Sequence, residues 1–167
     1  MRENCKQLRM LPIGILLLMP IVYGCSAIDC PLNNTVNTQF VFKGEVDTLK
    51  DTLNVLALRA DGSDTTIYNL GVNTVSLSLP ISYQQDEDLL VFQVTDTTTK
   101  VMVSDTLRLS KTNQPHFESA DCPPTFFHTL TAISTTHHLI DSVVIHEPQV
   151  DYDATKEHIY VYYHPRD

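Results

Sequence analysis

Residues 74–80, Thr74-Val75-Ser76-Leu77-Ser78-Leu79-Pro80, decide the fold class. Val75, Leu77 and Leu79 fall at every second position, with Thr74, Ser76 and Ser78 between them, until Pro80 stops the run. A period of two is the side-chain alternation of a half-buried β-strand, one face packed and the other wet. A helix needs apolar residues three and four apart, and from Asn34 onward no stretch carries that spacing convincingly.

Working outward, the same alternation recurs in short runs punctuated by turn residues. Upstream, Val36, Thr38, Phe40 and Phe42 share one face of a first strand. Residues 52–59 form a second strand, ended by Asp61-Gly62, a strong hairpin signal, and residues 65–69 return as its partner. Downstream, 89–94 and 101–109 flank the polar run 95–100 as a hairpin with a longer loop. Residues 126–133, 139–145 and 159–163 complete the set. Eight or nine strands at this spacing predict an all-β domain, a two-sheet antiparallel β-sandwich of Ig-like or transthyretin-like kind, with a small β-barrel as the alternative.

The N-terminus is built differently. Arg2, Lys6 and Arg9 precede an apolar run that starts at Met10 and ends in Gly24-Cys25, the layout of an export signal. The run is short of the roughly 20 apolar residues of a spanning helix, and Pro12, Gly14 and Pro20 interrupt it. Val22-Tyr23-Gly24-Cys25 resembles a bacterial lipobox, in which a cysteine after a small residue is lipidated and becomes the new N-terminus. The competing reading cleaves at Cys25-Ser26-Ala27 and releases a soluble, secreted protein starting at Ile28. The expected organisation is a signal peptide over 1–24, a lipidated N-terminus and short tether over 25–34, and one β-sandwich domain over 35–167.

From Cys25 onward the chain has 143 residues, enough for one core, with 8 basic against 19 acidic side chains, a net charge of −11. No basic cluster exists to neutralise phosphates, so nucleic acid is not expected as a partner. Adsorption to anionic lipid by charge alone is not expected, for the same reason.

Of four cysteines, Cys5 leaves with the leader and Cys25 is the lipid site, which leaves Cys30 and Cys122 as a disulfide pair in an oxidising compartment. Both precede proline, which biases them to extended backbone, as at strand ends. Two buried free thiols are the alternative, and a Cys25–Cys30 bridge becomes possible only if Cys25 carries no lipid.

Seven histidines invite a metal or catalytic reading. His137 and His138 are adjacent, so on a strand they point to opposite faces. His116, His128, His146, His158 and His164 are scattered singly, and neither HExxH nor CxxC is present. Acidic clusters at residues 61–64, 86–88 and 151–153 could hold calcium, but turns of a β domain gather Asp and Gly anyway. There is no GxSxG elbow and no recognisable carboxylate pair, so neither catalytic residues, a metal site nor a cofactor is expected. The chain has no tryptophan; Tyr160, Tyr162 and Tyr163 read as a final strand with one packed and one half-exposed face, an aromatic binding strip being the other possibility.

Six aspartates are followed by Ser or Thr, at Asp47-Thr48, Asp51-Thr52, Asp64-Thr65, Asp96-Thr97, Asp105-Thr106 and Asp141-Ser142. These triplets resemble the periplasmic O-glycosylation signal known among Bacteroidota, which implies modification at Thr48, Thr52, Thr65, Thr97, Thr106 or Ser142. The physical alternative is that Asp ends a turn and β-branched Thr starts a strand.

Cys30 near the lipid cysteine, Asp105-Thr106-Leu107 before a long turn to Cys122, Ile140-Asp141-Ser142-Val143-Val144-Ile145, and the terminal Ile159-Tyr160-Val161-Tyr162-Tyr163 resemble a family of small Bacteroidota lipoproteins of unknown function. The resemblance implies an envelope lipoprotein with a β domain, and supplies no active site. Ser26-Ala27-Ile28-Asp29 lacks the acidic run associated with surface export in that group, so the expected place is the outer membrane on its periplasmic face, a secreted soluble protein being the alternative. The resulting expectation is a non-catalytic module, held at the membrane by its lipid and docking an outer-membrane or periplasmic protein. A glycan- or calcium-binding domain and a hydrolase are the competing classes.

Overall fold

Alternation along the chain becomes alternation of burial in the computed structural model, which describes Cys30 and residues 36–165. The expected leader, the acyl site at Cys25 and the tether other than Cys30 lie outside the described residues. The β-structure belongs to the unit that begins at Pro31. In chain order its strands are β1 (Asn37–Lys43), β2 (Thr52–Leu58), β3 (Asp64–Gly71), β4 (Ser76–Pro80), β5 (Glu87–Thr95), β6 (Met102–His116), β7 (Thr125–Ser134), β8 (Ile140–Ile145), β9 (Gln149–Val150) and β10 (Ile159–Tyr163). They form a four-stranded sheet, β4-β1-β10-β8, and a six-stranded sheet, β3-β2-β5-β6-β7-β9. The fold is all-β with two sheets, and among the described residues there is no helix.

Inward-facing residues of both sheets make one core. Phe40 on β1 and Ile159 and Val161 on β10 meet Leu53, Leu90 and Leu107 of the larger sheet, all essentially without solvent contact. Each such side chain contributes about 1.5–3 kcal/mol on leaving water. The Asp61-Gly62 hairpin forms as expected: Gly62 takes φ +80°, Asp61 Oδ1 accepts from Ser63 N, and Gly62 N donates to Arg59 O.

Four expectations are corrected. Val75 does not share the buried face with Leu77 and Leu79: it is 52% exposed, because Thr74, doubly hydrogen-bonded to Leu49, takes the inward place and the alternation slips by one residue before Leu77, although Val75 O still accepts from Phe42 N. The sixth strand does not stop at Leu109 but runs to His116. Pro115 is tolerated there because β5 ends at the Glu87–Ser110 pair, so no strand on that side needs its missing N–H. The pairing is not purely antiparallel, since the first and last strands lie side by side and run parallel, Phe40 against Ile159. Two-residue β9 was not expected, being too short to show a period.

The registers give this unit two ends. The β2–β3 hairpin, the β4–β5 connection, the β6–β7 connection with Cys122 and the β8–β10 segment lie at one, here the disulfide end. The β1–β2, β3–β4, β5–β6 and β7–β8 connections lie at the opposite end.

Candidate functional site

At the disulfide end β6 extends past β5, and its inward residues there are polar. Lys111 is buried and its Nζ lies 2.7 Å from Asp88 Oδ2 on β5, while also donating to Gln85 O. Asn113, the next inward residue, donates to Gln85 O and Asp86 Oδ1 and pairs with His128 Nδ1 at 2.7 Å. Burial, reinforced by the Lys111 charge, lowers the His128 pKa to about 4, so its ring is neutral at pH 7.

Around this polar cluster the surface is aromatic. Tyr83, from the β4–β5 connection, stacks on Phe126 with ring centroids 4.6 Å apart. His116 stacks on Phe127 at 4.3 Å, and Tyr152 meets both edge-on. Phe126 is in register with Pro115, two residues before Phe117. Tyr83 is 53% and Phe117 61% exposed, so the rim presents two large rings to solvent on a base of packed ones. The neighbours are acidic: Glu118 Oε1 sits 3.2 Å from His116 Nε2.

The opposite end has a different character. Leu70, Val72 and Val75 around the β3–β4 turn, and Val101 and Met102 at the β5–β6 hairpin, are each more than half exposed. Gly71 lies against Leu53, Thr52 against Thr95, and Thr95 against Met102, so these side chains border four adjacent strands. Nearby, a cleft of about 660 Å³ is lined by Glu45, Asp47, Asp51, Asp96, Tyr163 and His164 among others. Asp51 and Asp96 there accept backbone hydrogen bonds from Thr97 and from Thr98 and Thr99.

Asp105 is a site that sequence reasoning missed. It is buried, and its carboxylate accepts from Thr136 Oγ1 and from the backbone N–H of His138, Leu139 and Ile140, all within 2.6–2.8 Å. His138 Nδ1 lies 3.0 Å from it. Burial pushes the carboxyl up, but these donors outweigh burial and hold its pKa at about 2.

The other sequence-derived residues fall as follows. Cys30 and Cys122 are disulfide-bonded, Cys122 sitting in a turn rather than at a strand end. Thr97 is exposed at the β5–β6 turn, whereas Thr48, Thr52, Thr65, Thr106 and Ser142 are half-buried. Tyr160 stacks on His146 and lies under Lys43 Nζ, and Tyr163 turns inward at a register shift in β10. Histidines 128 and 158 are buried on protein partners, and 137 and 164 lie by Asp141. Among the described residues no group of three or more His, Cys, Asp or Glu is placed to hold a metal ion.

Two sheets over a shared core, with a polar cluster and an aromatic rim at one end, define an all-β two-sheet domain. Residues 52–163, from β2 through β10, match the model of a family of unknown function, DUF6452, and the chain belongs to that family. No curated protein and no solved structure matches it. Strand β1, which precedes the matched span, occupies an interior place in the four-stranded sheet.

Proposed function

We propose that this protein is an envelope lipoprotein of the Bacteroidota type, a non-catalytic binding module that docks another envelope protein. The leader ending in Val22-Tyr23-Gly24-Cys25 supports acylation at Cys25 and export. The observation that carries docking is the set of exposed apolar side chains at one end of the domain, Leu70, Val72 and Val75 around the β3–β4 connection and Val101 and Met102 at the β5–β6 hairpin. Apolar side chains left exposed at one end of a domain suit a protein interface, and the cleft nearby, lined by Glu45, Asp47, Asp51 and Asp96 with Lys50 among them, supplies a charged border. The occupant that fits is a protein with an apolar patch rimmed by basic side chains.

Site-specific photo-crosslinkers at Val72 and at Met102 in cells test this. Both positions trap the same heavier species, and Val72→Glu abolishes the adduct formed from Met102. Recovery of monomer alone from both positions contradicts docking.

A further inference from the structure

The aromatic rim of the disulfide end has no role in the docking just described, and the chain's own connectivity bears on it. Four residues lie between Cys25 and Cys30, so the two are joined by a contour of about 18 Å at most. Cys30 is bonded to Cys122, in the same connection as Phe117. We propose that Phe117 and Tyr83 seat in the headgroup region of the membrane that holds the acyl chains, so that this end of the domain lies on the bilayer. The inference rests on the lipid anchor proposed above.

The chemistry of the rim fits a lipid interface. Tyr, an apolar ring with a polar tip, favours the boundary between hydrocarbon and water, and Phe supplies the wholly apolar ring that buries at the edge of the acyl chains. Tyr83 is held by its stack on Phe126, and the strand leading to Phe117 by the His116–Phe127–Tyr152 cluster, so little freedom is lost on insertion. Neither residues 81–87 nor 112–127 contain Lys or Arg. With Glu118 and Asp121 beside Phe117, the surface it meets is zwitterionic rather than anionic. The same acidic side chains oppose a second copy packing rim to rim.

The absence of tryptophan makes a clean test available. Protein purified from the envelope is reconstituted in phosphatidylcholine vesicles with brominated acyl chains, as the Phe117→Trp variant and, at the opposite end, the Val72→Trp variant. Phe117→Trp emission shifts to the blue and is quenched, Val72→Trp emission is not, and adding phosphatidylglycerol reduces the quenching. Tyr83→Trp behaves as Phe117→Trp and serves if that variant fails to fold. Equal quenching at both ends, or an unquenched rim in protein whose intact mass includes the acyl groups, overturns the inference while leaving the anchor standing. A Phe117→Trp ring shielded from aqueous quencher yet untouched by bromine overturns it in favour of a protein partner. An intact mass without acyl groups overturns the anchor and this inference together.

Discussion

Asp105 shows how much one side chain can hold. Its two carboxylate oxygens organise the β7–β8 loop by accepting three backbone N–H groups and the Thr136 hydroxyl. Removing it leaves those donors unpaired in a buried place, so Asp105→Ala costs about 3 kcal/mol or more in urea unfolding. A loss below about 1 kcal/mol contradicts the assignment. With a folded pKa of about 2, below the unfolded value of about 3.9, Asp105 stabilises fully above pH ~4, and that part is lost as pH falls towards 2. His128 works at a higher pH. Its folded pKa of about 4 lies below the unfolded ~6.5, so its contribution is complete above pH ~6.5 and lost as pH falls through 4. Stability measured from pH 7 to pH 4 declines less steeply in His128→Gln than in the unmodified protein; identical slopes contradict this. In the sequence, Asp105-Thr106-Leu107 draws attention to the threonine as a modification candidate. The carboxylate's role was hidden because its donors lie 31 to 35 residues away, beyond any local pattern.

At the scale of elements, β6 is the instructive strand. Its first half follows the apolar alternation that marks Leu107 and Leu109 as buried, and this half was legible. Its second half keeps the alternation only as far as Asn113, and the inward positions are Lys111 and Asn113, which read as surface until Asp88 and His128 are known to face them. A buried ion pair is strongly destabilising when halved and close to neutral when both partners are replaced. Lys111→Met alone costs about 3–5 kcal/mol, whereas Lys111→Met combined with Asp88→Leu returns most of that loss. Additive losses in a thermal double-mutant cycle contradict a direct pair. Strand β4 shows the converse error. Alternation of residue type continues through Val75, but alternation of burial slips there: Val75 O still accepts from Phe42 N of β1, while Val75 and Ser76 are both exposed and Thr74 is the buried one. The parallel β1–β10 pair was not legible either, because pairing partners 119 residues apart leave no mark on local periodicity.

For the whole molecule, the crosslink matters most. The loop from Cys30 to Cys122 spans 92 residues, which in the chain-entropy model stabilises the fold by about 4–5 kcal/mol at most. Cys30→Ser and Cys122→Ser therefore lower stability equally, and the double variant is no worse than either alone; unequal or additive losses contradict a shared bond. The pairing was legible from cysteine arithmetic, and the two-sheet class from alternation. The surfaces at the two ends were not, since each collects side chains from connections distant in sequence. On the reading proposed above, the domain is tied down near Cys122, with its aromatic rim turned to lipid and the apolar side chains of its opposite end turned to a protein. That description depends on acyl groups at Cys25, and the most direct test is the intact mass of the protein isolated from the envelope, before and after reduction. The account predicts a chain beginning at Cys25 that carries acyl groups and gains two hydrogens on reduction. A mature species beginning at Ile28 with no such adduct contradicts it.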